Sequence, residues 1–445
     1  MSASTRSRLA VGAVVAALGL LSAACTGSSA GGASDNPSAD TTITFWHGWT
    51  APSEVKGIAA TVKAFEKTHP NIHVKAVSNI TDDKINQALR AGGPKAPDVI
   101  SSFTTDNVGE FCSSHAFVDL TPFMKKSGID PATTFPSAQL DYTRYRGDQC
   151  ALPLLSDAYG LYYNKTAFAK AGITGPPKTM SEFKADAVKL TKLHGDTYSQ
   201  LGFMPDYRGY ESALSHFASQ WTPTYFTKSG KSNVAKDPAI KKTIIWQKQM
   251  VDALGGYQRL ERFRTTFGDE FGTKNPFMTG QVAMSIDGEW RGGMINDSKS
   301  KVKWGVAPFP VPDDQAAQYG KGYTSGTIVG IASTSRKQNA SWEFVKFLTT
   351  NTGAVVGFSN AIHNVPSTKA ALASKQVDQS PYFQTFAKIA QDPHSNTTPS
   401  SPNGGAYQLT LQNVGYGYES GKVNDLQAAL DKAAKQIDTD VAQAQ

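Results

Sequence analysis

Little in this chain points to catalysis. Histidine is sparse, eight in 445 residues, and those eight are scattered. No stretch reads G-x-S-x-G, H-E-x-x-H or G-x-x-x-x-G-K-[ST], so a nucleophile elbow, a zinc-held water and a phosphate-cradling loop have no sequence to rest on. An enzyme must be argued from a site, and none is visible. Lys and Arg are mixed with Asp and Glu along the whole chain, with no basic stripe interleaved with aromatics, which speaks against nucleic acid as a partner. There is no internal repeat. Past the N-terminus there is no apolar run near the ~20 residues that span a bilayer. Cysteine is scarce too, with three in all.

What is present begins with a targeting segment. Arg6 and Arg8 precede an apolar stretch from Leu9 to Leu21, too short for a membrane span and suited to a signal-peptide core. It ends in Leu21-Ser22-Ala23-Ala24-Cys25, which resembles a bacterial lipobox whose cysteine is diacylated after cleavage before it. Leu stands four residues before the cysteine rather than three, and the alternative is an ordinary signal peptide cut after Ser22-Ala23-Ala24. Residues 1–24 are thus expected to be removed, taking the formal charge from +7 to +5. Thr26 to Asp40 is rich in Gly, Ser, Ala, Asn and Asp and has too little apolar surface to fold, so it reads as a tether spanning ~20 Å. A lipid on Cys25 would hold the body beside the outer face of the cell membrane. Cys112 and Cys150 then remain as an even pair in an oxidising compartment, and a disulfide between them is expected; the alternative is two buried thiols.

The body, from Thr41 on, alternates strand and helix. Ile43–Trp46 reads as a strand, and a helix from Pro52 follows with Val55, Ile58, Ala59, Val62 and Phe65 on one face. Asn71–Val77, Asp82–Ala91 and Val99–Ile100 continue strand, helix, strand, which implies a parallel sheet with right-handed crossovers. Beyond Tyr159 the alternation resumes: a strand at Leu161–Tyr163, helices at Ser181–Leu193 and Ile240–Leu254, and a strand at Val282–Ile286. Strands at Val302–Pro308 and Thr327–Ala332, a helix at Ala340–Thr349 and an amphipathic closing helix from Val423 to Val441 complete the chain. With no long linker, the two α/β units should be joined by several short crossings.

Six segments in one order carry a family resemblance: Ile43-Thr44-Phe45-Trp46-His47; Phe65-Glu66-Lys67-Thr68-His69-Pro70; Ala96-Pro97-Asp98-Val99-Ile100; Gly160-Leu161-Tyr162-Tyr163-Asn164-Lys165; Phe277-Met278-Thr279-Gly280-Gln281-Val282-Ala283-Met284; and Gly305-Val306-Ala307-Pro308-Phe309-Pro310. Together they resemble the extracellular solute-binding proteins of sugar ABC importers, the group typified by maltodextrin-binding protein, over nearly all of residues 41–445. The resemblance implies an α/β, two-lobed periplasmic-binding-protein-like fold with parallel-type sheets and a hinge that closes on the ligand. One lobe would hold residues 41–156 and 308–351, the other 157–306 and 353–445. It also implies a monomer without cofactor or metal, partnered by membrane permease subunits and a cytoplasmic ATPase, that captures a sugar or oligosaccharide.

Ligands of open α/β sheets bind outside the carboxyl ends of the strands. A sugar offers apolar C–H faces and a rim of hydroxyls, which call for aromatic platforms beside carboxylates and amides. On that rule Trp46, His47 and Trp49 follow the first strand, with a packed Trp46 as the alternative. Asp106 follows the third, where helix N-capping is the competing role. Asp157 and Tyr159 stand at the presumed crossing between lobes, and the resemblance places an acidic sugar ligand there. Glu289 and Trp290 end the Val282 strand, the Trp at the family's stacking position. Asp206, Tyr207 and the late aromatic Tyr407 complete the candidates, while Gly322–Gly326 reads as a turn. Trp221, Trp246, Trp304 and Trp342 are expected to pack. The rival readings are the same fold with a polyamine, peptide or anion as ligand, and a secreted carbohydrate-active enzyme with paired carboxylates.

Overall fold

The structure, a computed structural model, describes residues 40–92, 96–205, 209 and 213–444. The leader, Cys25 and nearly all of the tether lie outside the described residues, as do Asp206 and Tyr207. Ten strands form one sheet: β1 (Thr41–Trp46), β2 (Ile72–Val77), β3 (Val99–Ser102), β4 (Leu152–Asn164), β5 (Lys192–His194), β6 (Thr197–Phe203), β7 (Val282–Gly288), β8 (Trp304–Pro308), β9 (Thr324–Ile331) and β10 (Val365–Pro366). The order is β2-β1-β3-β9-β4-β7-β6-β5, with β8 and β10 also paired to β4.

The expected parallel pairing holds for β1 with β2 and β3, and for β6 with β7. The sheet as a whole is mixed, because β9 runs antiparallel to β3 and β4, and β7, β8 and β10 run antiparallel to β4. Helices lie in the chain between β4 and β7 and between β9 and β10, so these antiparallel pairs are made at long range rather than through hairpins.

β4 organises the molecule. Its 13 residues are buried except for half-buried Asp157 and Tyr163, as befits a central strand covered on both faces. Leu152 to Ala158 pair with β9, Tyr159 to Tyr163 pair with β7, and Gly160 to Asn164 pair with β8. Separate cores flank the two halves. Ile43, Phe45, Ile58, Phe65, Trp342 and Phe344 fill the first, and Phe183, Leu201, Phe203, Trp246, Met284 and Leu430 the second. Two lobes thus share one strand. Phe358 and Ile362, which the resemblance would give to the second lobe, pack in the first core.

Several local expectations shift for identifiable reasons. The helix Pro52–Thr68 buries Gly57, Ile58, Thr61 and Phe65 rather than Val55 and Ala59. Its face is turned by Gly57, where a Cβ would lie 2.9 Å from the Ala361 Cβ, so the backbone itself meets the helix Thr352–Ile362. The helix expected to reach Leu193 stops at Leu190. Lys192–His194 instead form the exposed edge strand β5, turned back onto β6 at Gly195, whose φ of +60° favours glycine.

Cys112 and Cys150 form the disulfide, with Cα atoms 5.7 Å apart, and it pins the helix Asn107–Ser113 to the segment entering β4. The bridge closes a loop across 38 positions, worth ~4 kcal/mol in the chain-entropy model. Replacing both cysteines by Ala should lower the denaturant midpoint accordingly with the native circular dichroism retained. An unchanged midpoint would show that the bridge does not constrain the unfolded chain.

Candidate functional site

Three passages of chain meet where β4 changes partners: Asp157 to Tyr159, the end of β7 with Glu289 and Trp290, and Asn364–Val365 leading into β10. Glu289 is wholly buried. Ala158 N–H donates to its Oε2 (3.0 Å), while Val365 N–H (3.2 Å) and the Asn364 side-chain amide (2.8 Å) donate to its Oε1. The same Asn364 amide donates to Asp157 Oδ1 at 2.7 Å. Burial pushes Asp157 up to about 7, against the pull of the Asn364 hydrogen bond. Burial first and the Asp157 charge second raise Glu289 well above the usual carboxylate range, opposed by its backbone donors.

Aromatic rings line the same junction. Tyr159 is buried, with its ring centroid 4.2 Å from His216, 5.3 Å from Tyr323 and 5.7 Å from Trp290, the last edge-on. His216 and Tyr323 are 4.4 Å apart. The Trp290 indole is half-buried, and its Nε1 is shielded without a hydrogen-bond partner among the described residues. Tyr323 is tied through its hydroxyl to Thr398 Oγ1 at 3.1 Å.

Asp106 lies in the loop after β3, close enough to Tyr323 that its charge adds to burial in raising that phenol. It stands at the N-cap of the helix Asn107–Ser113 but makes no side-chain cap bond. Its Oδ1 accepts instead from Gln408 Nε2, 2.7 Å away and 302 positions along the chain. A Cβ at Gly405 would sit 2.6 Å from the Asp106 Cγ, and one at Gly109 would sit 2.0 Å from the Ser401 carbonyl oxygen. Glycine at both places lets the faces of the two lobes touch. Burial pushes Asp106 up to about 6, opposed by the Gln408 bond.

The other candidates are placed differently. Trp49 is buried, edge-on to Phe103 and Phe358 at 5.1 Å each. His47 is buried beside it, and desolvation lowers its imidazole to about 4. Trp46 is half-buried with the Lys84 ammonium 5.4 Å from its ring. Tyr407 lies in the second lobe's core against Tyr225 and Phe226, donating its hydroxyl proton to the Pro399 carbonyl at 2.9 Å. Trp246 and Trp342 are buried in the two cores. Asn364, Gln408 and His216 join the cluster without having been singled out by sequence. Phe103, 45% exposed on top of Trp49, is a further one; it follows β3, so the strand-end rule that selected Asp106 also reaches it.

A cavity of about 820 Å³ lies elsewhere, lined by Arg144, Tyr145 and Arg146, by Tyr225 and Phe226, and by the Asn396–Pro402 loop. None of the sequence-derived candidates borders it. Among the described residues no group of His, Cys, Asp and Glu is placed to hold a metal ion, and no helix is long and apolar enough to cross a membrane.

Comparison with known proteins agrees with this architecture. A putative binding protein of Brucella abortus is 27% identical over 205 residues, 45% of this chain and 47% of that protein, so the match spans about half the length of each. The maltotriose-binding protein of Pyrococcus abyssi is 21% identical over 399 residues, 89% of this chain and 81% of that one. The solved structure of the sugar-binding protein MalE from Xanthomonas citri superposes with a TM-score of 0.75 at 21% identity, covering 91% of this chain and 98% of that one, which establishes the fold. The family profile for bacterial extracellular solute-binding proteins matches residues 60–385, and the chain belongs to that family.

Proposed function

We propose that this protein is the capturing subunit of an ABC importer and takes up a neutral sugar or oligosaccharide between its lobes. The observation that carries the reading is the meeting of Asp157, Tyr159, Glu289 and Trp290 where β4 passes from one lobe to the other, with Asp106 acting on Tyr323 beside Tyr159. Carboxyl groups there serve the hydroxyls of a polyol, and the Trp290 and Tyr159 rings serve its C–H faces. Phe103 and His216 extend the aromatic surface. A cationic solute would call for a denser cluster of acids, and an anion for arginine at the junction. The names of the Pyrococcus and Xanthomonas proteins point the same way.

The cluster is packed as it stands, so ligand enters when the lobes part. A sugar touching both lobes binds the closed form better and shifts the population toward it. Glycine at 109 and 405 allows that closure to be tight. Division near Ala158 places residues 41–158 and 324–366 in one lobe and most of the remainder in the other. Capture is followed by docking to permease subunits, with no covalent step. Cys25, lipidated after removal of residues 1–24, holds the protein at the outer membrane face through the tether of residues 26–40, as a monomer.

Titration calorimetry of the full chain against maltotriose and a panel of other oligosaccharides is expected to give saturable binding without product formation. Trp290→Ala should weaken the best ligand about tenfold, the ~1.4 kcal/mol scale of an aromatic platform. Turnover, or affinity unchanged in both Trp290→Ala and Asp157→Ala, would contradict the site. Cys25→Ala should abolish incorporation of labelled palmitate in the producing bacterium; undiminished labelling would remove the anchor.

A further inference from the structure

Glu289 and Asp157 are two carboxyl groups bridged by one amide. Asn364 Nδ2 reaches Asp157 Oδ1 at 2.7 Å and Glu289 Oε1 at 2.8 Å. Every group that fills the Glu289 oxygens is an N–H donor: Ala158 N, Val365 N and the Asn364 amide. Burial favours a proton on Glu289. These donors have no lone pair to receive a carboxylic O–H, so of the two acids Glu289 is the one whose hydrogen bonds favour the ionised form. Asp157 differs. It is half-buried, and the donor on it is the single Asn364 amide at Oδ1.

Among the described residues, the phenols around the pair supply no compensating charge. Tyr142, which follows the helix Ser137–Asp141, Tyr162 on β4, Tyr323 ahead of β9 and Tyr382 on the helix Pro381–Gln391 are all phenols held neutral by burial. Arg291, which follows β7, is engaged with Asp287. His216 stacks on Tyr159, and His363 precedes Asn364 with its ring against Gly293. Two buried acids in that setting cannot both ionise readily.

We propose that Glu289 is a positioning residue that keeps a proton on Asp157, so that the site meets its ligand with a neutral carboxylic acid and ligand capture is coupled to proton uptake. This rests on the sugar-capture reading for the identity of the ligand, but the proton itself belongs to the ligand-free protein. The Asp157 O–H donates to a ligand oxygen. Above neutrality the proton leaves, two negative charges face each other at the lobe crossing, and the donor is lost. Affinity therefore falls as pH rises, by up to tenfold per pH unit for one linked proton. The folded protein holds a proton on Asp157 that the unfolded chain releases near pH 4. Stability contributed by this group is thus full below that value and declines as pH rises to about 7.

The test is a carbon-13 NMR titration of the aspartate carboxyls in the full chain without ligand. Asp157 is expected to titrate near neutrality in the wild type and to return toward the ordinary carboxylate range in Glu289→Gln. A wild-type midpoint near 4 overturns the proposal, as does an unchanged elevated midpoint in a folded Glu289→Gln. Because a glutamine amide would oppose the Ala158 N–H and can disturb folding, Asp157→Asn is the second variant, an isostere of the neutral acid. It should flatten the decline of stability between pH 5 and 7.5; a decline as steep as the wild type's counts against the proposal. With maltotriose, calorimetry in two buffers of different ionisation enthalpy should show proton uptake at pH 7.5 in the wild type and none in Asp157→Asn. If maltotriose fails to bind while Asp157 titrates near neutrality, the sugar reading suffers and the proton pair stands.

Discussion

One strand is shared by two lobes, and the rest of the structure follows from that economy. β4 hydrogen-bonds to β9 along its first half and to β7 and β8 along its second. Each half is covered by its own apolar core. The change of partners at Ala158 and Tyr159 leaves backbone groups that neither sheet satisfies, and the Glu289 carboxylate takes up the Ala158 N–H. A buried carboxylate is costly unless its oxygens are filled. Here they are filled by three donors from two other passages of the chain.

On the proposed reading, that arrangement puts ligand capture at the crossing. The residues that stitch the lobes, Asn364 and Glu289, are one hydrogen bond from Asp157 and one position from Trp290. Asp106 and Gln408 meet across the opposing faces 302 positions apart in sequence. A ligand held among them, as proposed, would act on the crossing directly, without a relay through either core.

How much of this was legible in the sequence depends on the range of the interaction. β1, with Ile43 and Phe45 buried in alternation, and the closing helix, with Leu426, Leu430, Ala433, Ile437 and Val441 inward, follow local periodicity and were readable. So was the Cys112–Cys150 bridge, from cysteine arithmetic and compartment. β4 was seen only at Leu161–Tyr163, because Pro153 and Asp157 interrupt what reads as a strand and only long-range pairing holds them in it. The antiparallel pairing of β9 had no local signal. Glu289 was legible as a strand-end acid, yet its partners lie 131 and 76 positions away, and no spacing rule reveals a carboxylate that binds backbone. Gly57 turned a helix face that apolar periodicity alone assigned to Val55.

The central claim, that the lobes move about β4 and that ligand selects the closed form, is most directly tested by a distance. Spin labels at Lys63→Cys on the first lobe and Lys432→Cys on the second, both exposed positions, allow the inter-lobe separation to be measured by pulsed electron resonance. The account predicts a broad or longer distribution without ligand that collapses to one shorter distance on saturation with the best-binding oligosaccharide. Identical distributions with and without saturating ligand would contradict it.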